Sequence, residues 1–309
     1  ANSTGSRRNL EFGDVLVNFK DGRARSFITT VEGVHNFSDN ISVRGSYTFT
    51  RAYDNSPYSC CTASGGYADP TTGRFGPNEI GGFGATGRAW GKSDFSRDHT
   101  IVVSAFMRLP LDIKLSAFWK SQSGRPWTVV GDDDLNGDGI TGNDRVFVFR
   151  PENLPLASSG AAADEERALY ASILNENSCV GDFVGGIIER NTCTFPWTHQ
   201  LDIRFTKGFR TVGRQRAEVQ LDFFNVLNGI GRLLCDEGAE DFDPTSGVCG
   251  LGRVTGVFGS NLELLDPRSF DPGTGQILYR VNNSFGQEDL LGANLVLQFQ
   301  MQLAFRYFF

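Results

Sequence analysis

The last stretch of the chain, GANLVLQFQMQLAFRYFF (Gly292 to Phe309), separates into two sets when it is read in twos. Leu295, Leu297, Phe299, Met301, Leu303, Phe305, Tyr307 and Phe309 are all apolar or aromatic. Between them stand Val296, Gln298, Gln300, Gln302, Ala304, Arg306 and Phe308, a mostly polar set. Alternate side chains point to opposite faces of a strand, so a period of two reads as strand and not helix. The run is long for a soluble sheet, whose strands have about 5–6 residues. A tilted strand that crosses a bilayer needs about 9–11. In water a long, flat, apolar strand invites aggregation. In hydrocarbon it is stable, provided a closed barrel pairs both of its edges.

The same alternation recurs upstream. HQLDIRFTKGF sets Leu201, Ile203 and Phe205 against Asp202, Arg204 and Thr206, and RAEVQLDFFNVLN sets Ala217, Val219, Leu221 and Phe223 against Glu218, Gln220 and Asp222. DIKLSAFWKS, HTIVVSAFMR and ISVRGSYTFTRA follow the same rule, and RSFITTVEGV and EFGDVLVNF follow it less regularly. With the C-terminal run these make about eight long strands. HNFSDN, RLPLD and RTVGRQ are tight turns rich in Gly, Pro, Asn or Asp. The other connections, before HTIVVSAFMR, HQLDIRFTKGF and the last strand, are very long. Soluble β-folds have loops of about 4–6 residues throughout, whereas outer-membrane barrels alternate short periplasmic turns with long outside loops. The fold expected is therefore all-β, an antiparallel transmembrane β-barrel with long extracellular loops. Its last strand runs from the outside to the periplasm. KDGRA, between the first two strands, is a misfit, because it should lie outside and yet is short.

Composition agrees with a barrel. The net charge of -7 argues against a nucleic-acid partner. No apolar run of eighteen residues exists, so no transmembrane helix is expected. A mean hydropathy of -0.24 is ordinary for a barrel, whose polar inner face dilutes the lipid face. Phe (26 residues) and Gly (37) are frequent, as aromatic girdles and loop glycines would make them. Trp119 and Tyr307 read as girdle residues, with rings at the bilayer interface. The opening ANSTGSRRNLEF has no apolar core of a secretory signal, which is expected to be absent or already removed.

All the cysteines fall in the expected outer loops: Cys60 and Cys61, Cys179 and Cys193, Cys235 and Cys249. The last two pairs enclose stretches of equal length, and local disulfides Cys179–Cys193 and Cys235–Cys249 suit an oxidising compartment. Spacing alone does not prove the connectivity. AAADEERALYASILNEN (161–177) has Leu169, Ile173 and Leu174 at helical spacing and Asp164, Glu165 and Glu166 near its start. It reads as one short helix within a loop.

The sharpest chemical motif is DDDLNGDGITGND. Asp134, Asn136, Asp138 and Gly139 fit the opening of a calcium loop, where alternating hard oxygens and a glycine turn surround the ion. The twelfth position should be a bidentate Glu but is Arg145; Asp132, Asp133 or Asp144 would have to substitute. The other reading is a turn-rich acidic loop held by Asx hydrogen bonds. The candidate metal set is Asp132, Asp134, Asn136, Asp138 and Asp144, with Ca2+ as the only cofactor considered. GFGATG (82–87) matches a dinucleotide fingerprint but lacks the strand before it and the helix after it. His99 and His199 both stand at the outer start of a downward strand, and His35 is remote from them. They read as solvated strand ends. No catalytic set is assigned and no enzyme activity is expected.

The final Phe309 with aromatics at every second position resembles the β-signal by which bacterial outer-membrane proteins engage the barrel-assembly machinery. SGRPWTVVGDDDLNGDGITGNDRVF resembles a segment of TonB-dependent receptors of the Oar-like, carboxypeptidase-regulatory-domain type, through Ser123, Gly124, Pro126, Asn143, Asp144 and Arg145. GSYTFTRAYDN, SRDHTIVVSA, HQLDIRFTKGF and VQLDFFNVLN look like that family's successive late strands, in its order. The resemblance implies a C-terminal portion of a twenty-two-stranded barrel, with residues 1–309 forming a single barrel portion without a plug. It implies outer-membrane lipid around the strands, energised uptake of an unknown cargo, and TonB docking through a segment not in this chain. The rivals are a stand-alone small barrel (adhesin, structural protein or narrow pore) and a barrel-embedded hydrolase.

Overall fold

A computed structural model describes residues 23–54, 90–131, 145–235, 249–250, 255–256, 259–287, 289–290 and 298–309. Seven long strands form one sheet: β1 (Ala24–Ser38), β2 (Ile41–Asp54), β3 (His99–Leu109), β4 (Ile113–Gln122), β5 (Thr198–Arg210), β6 (Arg216–Phe224) and β7 (Gln300–Phe308). They lie in chain order, and each neighbouring pair is antiparallel. A short strand, Gly91–Lys92, extends the pairing of β2. Among the described residues β1 and β7 are the two edges of this path. The expected strand in EFGDVLVNF lies outside the described residues, as does most of KDGRA.

The two ends of the sheet differ as the connection pattern requires. Tight turns join β1 to β2 at Asp39–Asn40, β3 to β4 at Pro110–Asp112, and β5 to β6 at Thr211–Gln215. In the second, Leu111 and Asp112 both take positive φ (65° and 57°), the turn handedness that matches the twist of a hairpin. The β2–β3, β4–β5 and β6–β7 connections all leave from the opposite end.

Register turns the sequence alternation into two continuous faces. Val43, Ala105, Ala117, Ile203, Phe223 and Met301 are cross-strand partners in one row. The next row, Ser42, Phe106, Ser116, Arg204, Asp222 and Gln302, belongs to the other face. One face is thus apolar across six strands, β2 to β7, and the other largely polar. The protein leaves the apolar face uncovered: Val31, Met301, Leu303 and Phe305 are each 65–71% exposed. Such a surface is stable only against an apolar solvent.

The segment read as running on to Asn228 ends earlier as a strand, at Phe224. Asn225 takes a left-handed conformation (φ 50°), which Asn tolerates better than most residues, and starts a helix. The expected loop helix is present as α1 (Ala161–Glu176), followed by the one-turn α2 (Ser178–Gly181). The helix after Asn225 is α3 (Val226–Leu234), which the sequence reading did not foresee.

The buried hydrophobic core lies in the connections, not in the sheet. Val129, Tyr170 and Ile188 from the β4–β5 connection pack with Leu264, Tyr279 and Phe285 from the β6–β7 connection. Tyr170 is fully buried, its hydroxyl donates to the Phe149 carbonyl at 3.3 Å, and burial pushes its pKa up. A hairpin, Leu265–Asp271 with Gln276–Val281, lies against Leu156, and the Tyr279 backbone donates to the Pro155 carbonyl at 2.8 Å. Cys179–Cys193 and Cys235–Cys249 are both bonded, as expected; Cys60 and Cys61 lie outside the described residues.

Two outcomes are expected. Leu303→Arg, on the apolar face, should destabilise the folded chain in lipid vesicles by about 2–4 kcal/mol, with Gln302→Arg on the polar face far milder, as read by urea unfolding. In the hairpin turn the Asp271 carboxylate accepts from Thr274 Oγ1 (2.7 Å) and the Gly273 amide (2.9 Å), which holds its pKa below the usual value. That support is full above the unfolded carboxylate pKa and is lost as pH falls through the lower folded one. The protection of the Gly273 amide, its exchange measured against the intrinsic rate at each pH, should therefore fall on acidification, and Asp271→Asn should remove that pH dependence.

Candidate functional site

The polar face curves around a cavity of about 630 Å3 lined by residues of β1 to β6, among them Arg44, Phe106, Phe118, Asp202, Arg204 and Asp222. Some of its charges are paired across strands. Arg204 and Asp222 are register partners on β5 and β6; Arg204 Nε donates to Asp222 Oδ1 at 2.6 Å and Gln220 Nε2 donates to Oδ2 at 2.6 Å. Asp222 is only 4% exposed, so these donors replace the water it has lost. Asp202 accepts from Gln200 (3.0 Å) and from the Asn225 amide (2.8 Å), which fixes the bend from β6 into α3. Arg44 pairs with Glu32 at 2.8 Å. Near the tight turns, Arg216 pairs with Asp112 at 3.2 Å across Gly208. A Cβ on Gly208 would stand 2.1 Å from the Asp112 carboxylate, so glycine is what lets the pair cross the strand. The arrangement is a wettable wall of matched charges and amides, suited to passing or holding polar solute.

At the long-connection end a second polar cluster ties the loops to the sheet. Arg190, its side chain 1% exposed, pairs with Asp54 at 2.6 Å and Asp94 at 3.5 Å. Asn191 donates to Asp94 Oδ1 and to the Lys92 carbonyl, each at 2.6 Å, and accepts from Thr128 Oγ1 at 2.9 Å. Lys92 pairs with Asp98 at 2.7 Å. The β4–β5 connection is thereby bolted to the end of β2 and to Gly91–Lys92.

The candidate metal residues Asp132, Asp134, Asn136, Asp138 and Asp144 lie outside the described residues, as does GFGATG. Their flanks are placed. Val130 bridges Arg145, which brings the two ends of that loop together, and Arg145 donates to the Ile188 carbonyl at 3.3 Å. Among the described residues no group of three or more His, Cys, Asp or Glu side chains could hold a metal.

The histidines are not simple solvated ends. His99 Nδ1 and Tyr47 Oη are 2.7 Å apart, His199 Nδ1 and Ser121 Oγ 2.9 Å, and the Trp197 ring stacks on both imidazoles (5.9 and 6.3 Å). By register this cluster lies on the apolar face near the long-connection end. Ser121 and His199 approach a nucleophile–base geometry, but Ser121 is 2% exposed and its hydroxyl is closed to solvent. Trp127 packs in the loop core against Phe195 and Phe285. Tyr307 bonds Gln215 and Thr211 at the tight-turn end. Sequence reasoning missed Arg190, Asn191 and the Arg204–Asp222 pair as a site; the charge alternation on RFTKG and QLDFF was the available signal for the last.

A long-stranded antiparallel sheet with one apolar and one polar face, turns at one end and bulky connections at the other, is the wall of a membrane β-barrel. The chain belongs to the outer membrane beta barrel domain family, whose model matches residues 1–230. No curated protein and no solved structure matches the chain. The matched region carries β1 to β6, and the family assigns the chain to the outer membrane.

Arg190→Gln should leave Asp54 and Asp94, whose side chains are 16% and 35% exposed, without their cation. The expected cost is about 1–3 kcal/mol to the loop attachment, from the charged hydrogen bonds lost by two partly hydrated carboxylates. Limited proteolysis should show cleavage in 145–197 at lower protease doses than in the parent chain, with barrel heat-modifiability retained.

Proposed function

We propose that this barrel is part of a TonB-dependent receptor that imports a bulky nutrient across the outer membrane, with its long connections facing the outside. The observation that carries this reading is the joint placement of two features. A polar concave wall of paired charges runs along β1 to β6, and a packed, disulfide-closed loop domain sits at the mouth end. A narrow structural barrel needs neither a wide wettable wall nor a mouth domain with its own core, because eight closed strands leave room only for side chains or one small ligand. The cargo would meet the loop domain first and pass along the Arg44, Asp202, Arg204 and Asp222 wall. TonB would act through a docking segment outside this chain. The resemblance of the SGRPW…NDR segment and of the late strands to Oar-like receptors points the same way.

The test uses the intact gene product in its own cells. Uptake from a panel of labelled peptides, glycans and chelated iron should require the barrel and a TonB-docking segment, and should stop when the proton gradient is collapsed. Uptake that survives both treatments would move the protein to the passive-pore reading. No uptake, combined with a closed small barrel of negligible conductance in planar bilayers, would favour the structural or adhesive reading.

A further inference from the structure

Above the aromatic cluster on the apolar face, the same alternation continues into arginine. Arg51 is two residues beyond Phe49 on β2, and Arg97 two residues before His99 on β3; Phe49 and His99 are register partners. The Thr50 amide donates to the Asp98 carbonyl at 3.0 Å, which carries the pairing up to that height. Arg125 is two residues beyond Ser123, whose amide donates to the His99 carbonyl at 2.9 Å. Arg97 donates to the Ser123 carbonyl at 2.8 Å and lies close enough to Arg125 that this neighbour, together with burial, lowers its pKa. On the adjacent strand Arg25 is the register partner of Tyr53. Arg51, Arg97 and Arg125 thus stand side by side, with Arg25 one alternation farther out on β1, at one edge of the lipid-facing surface.

Aromatic rings lie both among them and beneath them. The Arg51 guanidinium lies 5.5 Å from the Phe49 ring centre and Arg25 lies 5.8 Å from that of Tyr53, which in turn stacks on Trp90. Below come Tyr47, His99 and Trp197, and then aliphatic side chains such as Ile101, Val103 and Leu201. Along the strands the aliphatic side chains give way to a zone where rings and guanidinium groups mix, Tyr53 standing one alternation beyond Arg51, as hydrocarbon gives way to the interfacial region of a leaflet. The local carboxylates are already engaged elsewhere, Asp98 with Lys92 and Asp54 and Asp94 with Arg190. None of the four arginines forms an ion pair among the described residues. Adjacent guanidinium groups repel one another unless an anion lies between them, and a phosphate accepts from planar guanidinium donors in pairs.

We infer that Arg25, Arg51, Arg97 and Arg125 form a docking row for the phosphates of an anionic lipid in the leaflet at the long-connection end of the barrel. The occupant is a membrane lipid rather than a free anion, because the row continues the lipid-facing surface directly. With the orientation proposed above, that leaflet is the outer one and the lipid is its phosphorylated glycolipid; the identity of the leaflet rests on that reading, but the site does not.

The purified full chain in detergent micelles, exposed to diphosphoryl lipid A, should retain it in native mass spectra. The same lipid stripped of its phosphates should not be retained, and millimolar inorganic phosphate should not displace the bound lipid. Each arginine changed to Gln should weaken retention about fivefold, the contribution of one basic residue at an anionic surface. Arg51→Gln with Arg125→Gln, two exposed positions, gives a readable variant if the fourfold change does not fold. Equal retention of both lipids, displacement by inorganic phosphate, or retention unchanged in a folded double variant would overturn the proposal. An epitope in the Asp271–Gln276 turn, labelled on intact cells, reads orientation independently. An unlabelled epitope with lipid binding retained would overturn the outward orientation and leave the lipid site standing.

Discussion

Hydrocarbon offers no hydrogen-bond partner, so a strand inside it must have both backbone edges paired by other strands. Most of this architecture follows from that constraint. It sets strand lengths of 9 to 15 residues, keeps all neighbours antiparallel in chain order, and confines irregular backbone to the two ends of the sheet. It also separates two kinds of packing. The strands keep their place through ladders and an apolar solvent, and need no interior core. The connections stand in water and must bury apolar surface among themselves, which is where Tyr170, Leu264 and Ile188 do so.

The polar face shows the same division on a smaller scale. Several charges turned into the barrel have a partner on a neighbouring strand or a nearby turn, as with Arg204 and Asp222, or Arg216 and Asp112. Where these pairs stand, the wall is polar and locally neutral. At the mouth the pairs become drier, and Arg190 is buried against Asp54 and Asp94. Buried pairs of this kind add little net stability but are costly to break, so they specify one position for the loop.

Strand existence and facing were legible because period two is written into β2 to β7: Leu201, Ile203 and Phe205 share a face as directly in the sequence as in the sheet. The alternation of connection lengths, the α1 helix and the two disulfides were legible for similar reasons, each being local in sequence. The loop core was not. Its halves lie far apart in the chain, and their apolar residues follow no single period, since they join turns, short bridges and one helix face. The end of β6 was misread because Asn225 breaks the strand by backbone conformation, while the apolar residues after it continue a plausible pattern. Arg190 and Asn191 gave no signal at all, because a buried pair is defined by its partners, Asp54 and Asp94, and those are distant in sequence.

The shared core of the two connections has a consequence for biogenesis. Val129 and Tyr170 come earlier in the chain than Leu264, Tyr279 and Phe285, which complete their packing. The earlier segment cannot reach its resting shape until the later one lies beside it. The mouth therefore matures only after both segments are made, and a chain stalled between them would carry an open, protease-sensitive surface.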